Sequence, residues 1–297
     1  MAGSTDTDTT PDSTRSRLSG SQIRLYFYDA ATYLVYALAA AFFMFPVLWV
    51  ISLSLRTEGA VYSALNLIPS DPTLDAYRTV IDSGILGWMR NTLVVTVVSV
   101  LGIILVTTPA AYAFSRFRFR GRRTLLLAVL GFQMISPIVI VLPLYDIMRT
   151  LGLTESHAGL ALLYIGLQIP FSLWLLKGYF DTIPTALDKA ARIDGCNRLQ
   201  TLRYVLLRPV MPGIAVVAIF NFVLTWSEFV MAYTMLGPAG QDEYTLSMGI
   251  YLFDTQLATQ WTNIAAAAVI GVVPIILFFV ALQRYFVRGL TDGAVKG

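Results

Sequence analysis

Six runs of mainly apolar residues, at approximately 31–54, 91–114, 124–148, 158–177, 211–235 and 262–283, limit what this chain can fold into. Each is close to or above the ~20 residues that an α-helix needs to cross the hydrocarbon core of a bilayer. Water is absent there, so backbone N–H and C=O groups must pair within the segment, which a helix does and an isolated strand does not. Composition points the same way: 56% of the residues are hydrophobic, 13% are charged and the mean hydropathy is +0.67. A soluble domain carries about a quarter charged residues. The sequence therefore predicts an all-α membrane protein with six transmembrane helices.

The basic residues then orient the spans. Of the 21 Lys and Arg, only Arg56, Arg78, Arg90 and Arg149 fall on one side; the other seventeen lie on the opposite side, with both termini. The positive-inside bias makes that side cytoplasmic. Residues 1–21, rich in Ser, Thr, Asp and Gly, bury too little to offset their chain entropy and read as a disordered cytoplasmic tail. Residues 22–90 hold the first transmembrane helix, expected to act as its own uncleaved insertion signal, and an outer loop with a short amphipathic segment after Pro72. Residues 91–285 form the core, and 286–297 a cytoplasmic C-terminal tail. A second outer loop, 236–260, carries Asp242, Glu243 and Asp254 and no Lys or Arg.

The polar interruption at 181–209 is too charged for the bilayer interior. Thr185 with Asp188 reads as a capping box opening a short helix, whose Leu187, Ala190 and Ala191 share a face. Gly195 ends it, since glycine takes the left-handed cap conformation at no side-chain cost. Asn197 with Gln200 caps a second helix bearing Leu199, Leu202 and Leu206, and Arg208-Pro209 is expected to stop it. The result is a helix, a turn and a helix, small enough to dock as a knob on a soluble partner.

Lys189-Ala190-Ala191, then Asp194-Gly195, then Pro212, resembles the coupling loop of binding-protein-dependent ABC importer permeases. This sequence departs from the family pattern at Lys189, where a Glu is usual, at Cys196 for Ala and at Leu202 for Phe. Ala111-Tyr-Ala-Phe-Ser-Arg116-Phe-Arg-Phe-Arg-Gly121, Pro170-Phe-Ser-Leu-Trp174, Trp226-Ser-Glu-Phe229 and the tail Gly289-Leu-Thr-Asp-Gly-Ala-Val-Lys-Gly297 are similar to segments of the carbohydrate-uptake type, the second permease of maltose- and trehalose-type systems. The resemblance implies a membrane permease subunit that works with a second permease, an ATPase dimer holding ATP-Mg, and an extracytoplasmic solute-binding protein. In that reading Lys189, Ala190, Ala191, Asp194, Gly195, Cys196, Leu202 and Pro212 belong to the ATPase-coupling loop. The arginine-rich stretch Ser115–Arg123 is read as an anionic-lipid and topology anchor, not a nucleic-acid contact.

No Gly-x-x-x-x-Gly-Lys-Ser/Thr phosphate loop occurs, so the chain is not itself the ATPase. With one Cys (Cys196) and one His (His157), it offers neither a disulfide framework nor a zinc ligand set, and no Ser/His/Asp hydrolase set is visible. The chain is therefore not read as an enzyme, and no cofactor or metal is assigned to it. Polar residues inside spans are costly in lipid and face protein or water. Asn221, Thr225 and Glu228 fall on one helical face beside Trp226 and Ser227, and with Gln133 and Gln168 they are candidates for a translocation path. For Glu228 an alternative stands: a structural lock paired with Arg90. Asn91, Ser136 and Ser172 are weaker path candidates. The importer reading has two rivals, an ion-coupled secondary transporter and a permease of the same type for a non-sugar solute.

Overall fold

A run of apolar residues closes its own backbone hydrogen bonds by becoming helical, and that is the architecture observed. The computed structural model describes residues 20–61, 66–254 and 259–294. The helices are α1 (Gly20–Ser54), α2 (Asp75–Asp82), α3 (Ile85–Arg116), α4 (Arg122–Phe132), α5 (Pro137–Thr150), α6 (His157–Thr182), α7 (Ala186–Ile193), α8 (Arg198–Gln200), α9 (Leu207–Trp226), α10 (Val230–Leu236), α11 (Leu246–Tyr251) and α12 (Trp261–Ala294). A π-helical turn, Thr201–Leu206, joins α8 to α9. Among the described residues the only extended pairing is a single bridge between Asp254 and Thr259. Residues 1–19 and 295–297, parts of the two predicted tails, lie outside the described residues.

Five helices are long and apolar enough to cross a membrane: Ala31–Ser54, Ile85–Arg116, His157–Thr182, Arg198–Trp226 and Trp261–Gln283. A sixth crossing requires counting α4 and α5 together, and those two meet at 99°. The span expected at 124–148, with Pro137 and Pro143 as kink sites, is thus a broken pair whose bend falls just before Pro137. Ser136 is extended (φ −62°, ψ 133°), as a residue before proline prefers, and Pro137 opens α5, where its missing N–H costs nothing. Pro143, Pro170 and Pro274 sit inside continuous helices.

The chain divides into two units between Trp49 and Val50. In the first, Phe42 and Phe43 meet edge to face at 5.5 Å. In the second, α3 packs along α6, α9 packs against α3, α6 and α12, and α2 lies on α12 and α3. Toward the start of α3, Trp88, Phe222, Trp226, Phe253 and Ala266 form one buried cluster, and Val95, Leu163, Tyr164, Met235 and Met248 a second. Toward its end, Ile103, Tyr112, Leu176, Phe180, Leu202 and Leu206 form a third, which joins the polar loop to the spans. Lipid tails are as apolar as these side chains, so close packing and interhelical hydrogen bonds hold such a bundle. Asn221 donates to Ser172 (2.9 Å), Gln168 to Thr225 (3.0 Å) and Trp226 Nε1 to the carbonyl of Gly271 (3.0 Å), at about 0.6 kcal/mol for an average intramembrane bond.

Candidate functional site

The knob forms as a helix, a turn and a helix, with two departures from its expected local chemistry. Gly195 adopts φ +82°, and the Cys196 N–H reaches the Ala191 carbonyl (2.9 Å) while the Gly195 N–H reaches that of Arg192 (3.1 Å), a paired closure of the last turn of α7. Asn197 and Gln200 make the reciprocal capping box, at 2.9 and 2.8 Å. The first departure is at Thr185, whose side chain caps nothing. Asp188, assigned to that box, instead turns inward and ion-pairs with Arg116 at 3.0 Å, both side chains about nine-tenths buried. A guanidinium charge is a stronger partner than a backbone N–H that water can serve. The second is at Pro209, which does not stop the helix: α8, the π turn and α9 run continuously from Arg198 to Trp226. The wider π turn admits an extra residue just before a proline that has no N–H to donate.

At the end of α3, three consecutive residues hold four successive pieces of the knob. Ser115 donates to Asp181 (2.6 Å), which Lys177 also engages (2.5 Å). Arg116 pairs with Asp188 and also donates to the Ile183 carbonyl (2.8 Å). The Phe117 ring lies under the Arg198 guanidinium, 4.5 Å from its centroid. Arg116, expected to serve as a lipid anchor, is a buried internal partner, whereas Arg118 and Arg120 are exposed. Of the predicted coupling residues, Lys189, Ala190, Asp194 and Gly195 are exposed, Cys196 is half-buried, Ala191 and Leu202 are buried, and Pro212 lies inside α9. Ile193 (86% exposed) and Leu199 (71%) present apolar surface on the knob.

The polar stripe separates into two groups. Asn221, Thr225 and Trp226 are buried and, with Gln168, join α9 to α6 and α12. The Glu228 carboxylate accepts from Tyr164 Oη (2.6 Å) and from the N–H groups of Met231 (2.9 Å) and Ala232 (3.1 Å). It thus caps the start of α10, in place of the pairing with Arg90 that was the alternative reading. Ser227 borders an open cavity of about 470 Å³ whose walls include Trp226, Phe229, Ser247, Tyr251 and Asp254. Gln133 lies exposed in the break between α4 and α5, away from this group. Among the described residues no cluster of His, Cys, Asp and Glu has the make-up to hold a metal ion.

At the opposite end of α3, Trp88 Nε1 donates to the Gln241 carbonyl (3.0 Å), and Asn91 donates to those of Asp242 (2.7 Å) and Tyr244 (3.1 Å). The Leu246 N–H donates to Thr92 Oγ1 (2.7 Å). His157 Nε2 lies 2.8 Å from the Glu243 carbonyl, so it fastens the same loop to α6. Position 249 must be glycine for this packing, because a Cβ there would fall 2.0 Å from the Trp88 ring. Asp188, Ser115, Asp181 and Tyr164 are the functional-site neighbours that sequence patterns miss. Apart from Lys177, which lies one turn before Asp181 on α6, their partners lie on other helices, and only a charged or hydroxyl side chain at a span's edge hints at them.

These features, a bundle of apolar helices with a polar helix-turn-helix between two of them, define a class of multi-pass permease components. Residues 100–292 match the family of binding-protein-dependent transport system inner membrane components, and the chain belongs to that family. It is 34% identical over 285 residues to GanQ, a galactooligosaccharides transport system permease protein of Bacillus subtilis, covering 94% of this chain and all of GanQ (100%). It is also 34% identical over 286 residues to MalG, a maltose/maltodextrin transport system permease protein of Escherichia coli, covering 90% of this chain and 95% of MalG. Among solved structures, a chain of a bacterial ABC transporter that imports the acidic polysaccharide alginate shares the fold, with a TM-score of 0.73 at 24% identity over 90% of this chain and 98% of that one.

Proposed function

We propose that this chain is one of two permease subunits of an ABC importer for a neutral sugar or oligosaccharide. The observation that carries the reading is the near full-length similarity to permeases of oligosaccharide systems, together with an exposed knob of the kind a separate motor can grip. A second permease completes the path, an ATPase dimer with ATP-Mg engages the knob, and a binding protein delivers solute from outside. The chain crosses the inner membrane six times, the broken pair α4–α5 counting as one crossing, with both termini cytoplasmic. Lys189, Ala190, Asp194, Gly195 and Cys196 face the ATPase, while Ala191, Leu202 and Pro212 seat the knob on the bundle.

For the path itself, the geometry favours the cavity bordered by Trp226, Ser227, Phe229, Tyr251 and Asp254, whose aromatic faces and few polar atoms suit a neutral sugar. Asn221, Thr225, Glu228 and Gln168 support that wall by joining its helices, and Gln133 sits at the α4–α5 break. Few basic side chains line this region, which favours a neutral solute over a sugar phosphate. The test is reconstitution with the partner subunits and binding protein. Solute uptake is expected only with ATP and both ATPase subunits, and uptake by this chain alone on a proton gradient would overturn the reading.

A further inference from the structure

The two ends of α3 are fastened in a way that neither the packing of the bundle nor the family assignment explains. At one end Ser115, Arg116 and Phe117 hold the knob, and at the other Trp88, Asn91 and Thr92 hold the loop 241–246. The helix between them has 32 residues, about 48 Å at 1.5 Å per residue, so it exceeds the thickness of the hydrocarbon core. The outer joint consists of directional hydrogen bonds, while at the inner one Arg116 donates to the Ile183 carbonyl and stands 3.0 Å from Asp188 as a buried ion pair. Hydrogen bonds fix distance and angle and a buried ion pair fixes distance, whereas packed apolar side chains let helices slide. The joints also differ in kind. The inner one is a buried ion pair whose acidic half sits on α7, and the outer one is a set of bonds to backbone atoms of the loop.

We propose that α3 is the strut that carries a displacement of the knob across the membrane to the loop 241–246, with Arg116–Asp188 as its inner joint and Asn91 as its outer joint. This rests on the reading that an ATPase engages the knob. Arg116 and Asp188 are positioning residues: neither touches solute or nucleotide, and they act through α3. Because the joints lie in series, cutting either one breaks the same connection.

The experiment uses the assembled complex of this chain with its second permease and ATPase subunits. A Cys196→Ser chain carries Gln241→Cys labelled with bimane, whose emission the neighbouring Trp88 quenches. Adding ATP and vanadate is expected to change that emission. The inner joint is cut with the double variant Arg116→Met/Asp188→Leu, because replacing both halves of a buried pair avoids leaving one charge unpartnered. The outer joint is cut with Asn91→Leu. Each cut is expected to shrink the response at least fivefold while ATP hydrolysis persists. Combining the cuts should add no more than about twofold, whereas independent structural damage would multiply. Asp188→Glu is expected to retain the response.

A full response with either joint cut would overturn the proposal, as would multiplying losses or an unlabelled-like silence in the parent complex that still hydrolyses ATP. Loss of the ATPase subunits from the double variant and from Asp188→Asn alike would make the pair a docking element and also overturn it. Failure of the parent chain to bind any ATPase subunit would instead overturn the function proposed above.

Discussion

Glu228 carries three hydrogen bonds at the start of α10, from Tyr164, Met231 and Ala232. Truncating it to Ala strands three donors in a part-buried setting, which costs about 1–3 kcal/mol for one left unsatisfied. Glu228→Ala is therefore expected to lower the thermal midpoint of the detergent-purified chain, while Glu228→Gln, which keeps an acceptor oxygen, retains most of it and keeps uptake within about twofold. Uptake lost in the Gln variant at unchanged melting would give the charge a role in the path. Gly195 is tested by geometry alone, since a Cβ there meets no atom within 4 Å and only φ +82° resists it. Gly195→Ala should cost about 1–2 kcal/mol of left-handed strain. Gly195→Pro, which requires φ near −65° and removes the N–H that binds Arg192, should uncouple ATP hydrolysis from uptake. Lys189→Ala is expected to change uptake by no more than about twofold, because Lys189 is exposed and stands where the family pattern has Glu, so no specific side-chain contact is assigned to it; a severe defect in ATPase association would show that its ammonium makes one.

The elements divide by how far their causes lie apart in sequence. α3, α6 and α12 were legible because their apolar runs are long and uninterrupted, and Asn197–Gln200 and Gly195 were legible because a cap is a bond within three or four residues. At 133–136 Pro137 marks where a helix bends, but a missing N–H does not set the angle, and the full 99° break is not legible because apolar residues continue on both sides of it. Asp188 has the spacing of a local cap with Thr185, but its partner, Arg116, is on another helix, and no local spacing reveals it. The end assigned at Pro209 failed because a π turn absorbs the proline. In the candidate site, the helix-turn-helix and its caps at Gly195 and Asn197 were readable locally, whereas the burial of Asn221 and Thr225 depends on α6 and α12 packing against α9 and no local pattern carries it. The π turn gives a prediction of its own. Inserting one alanine after Val205, in a turn that already holds an extra residue, is expected to rotate the knob about 100° relative to α9. The variant should still insert and elute as a monodisperse chain, but recover at least tenfold less ATPase subunit in co-purification; unchanged recovery would show that the knob's angle is set elsewhere.

For the molecule as a whole, the distribution of charge and the placement of the helices make one claim that a single reagent can check. Seventeen of the 21 basic residues fall on the side of the knob, and the positive-inside bias assigns that side to the cytoplasm. On the proposed topology Ile85–Arg116 runs from outside to inside, which puts Trp88 and the loop it holds outside and Arg116 and the knob inside. Chemistry supplies the probe: Cys196 is the sole cysteine, it is half-buried on the knob, and Ser70 is exposed in the opposite loop. In intact cells stripped of their outer barrier, a membrane-impermeant maleimide is expected to leave Cys196 unmodified until the inner membrane is permeabilised. In a Cys196→Ser background, Ser70→Cys should react at once. An odd number of crossings between these two positions requires that opposite behaviour, so labelling of both from the same side would mean that α4–α5 re-enters without crossing, and would overturn the six-span topology while leaving the helices themselves unchanged.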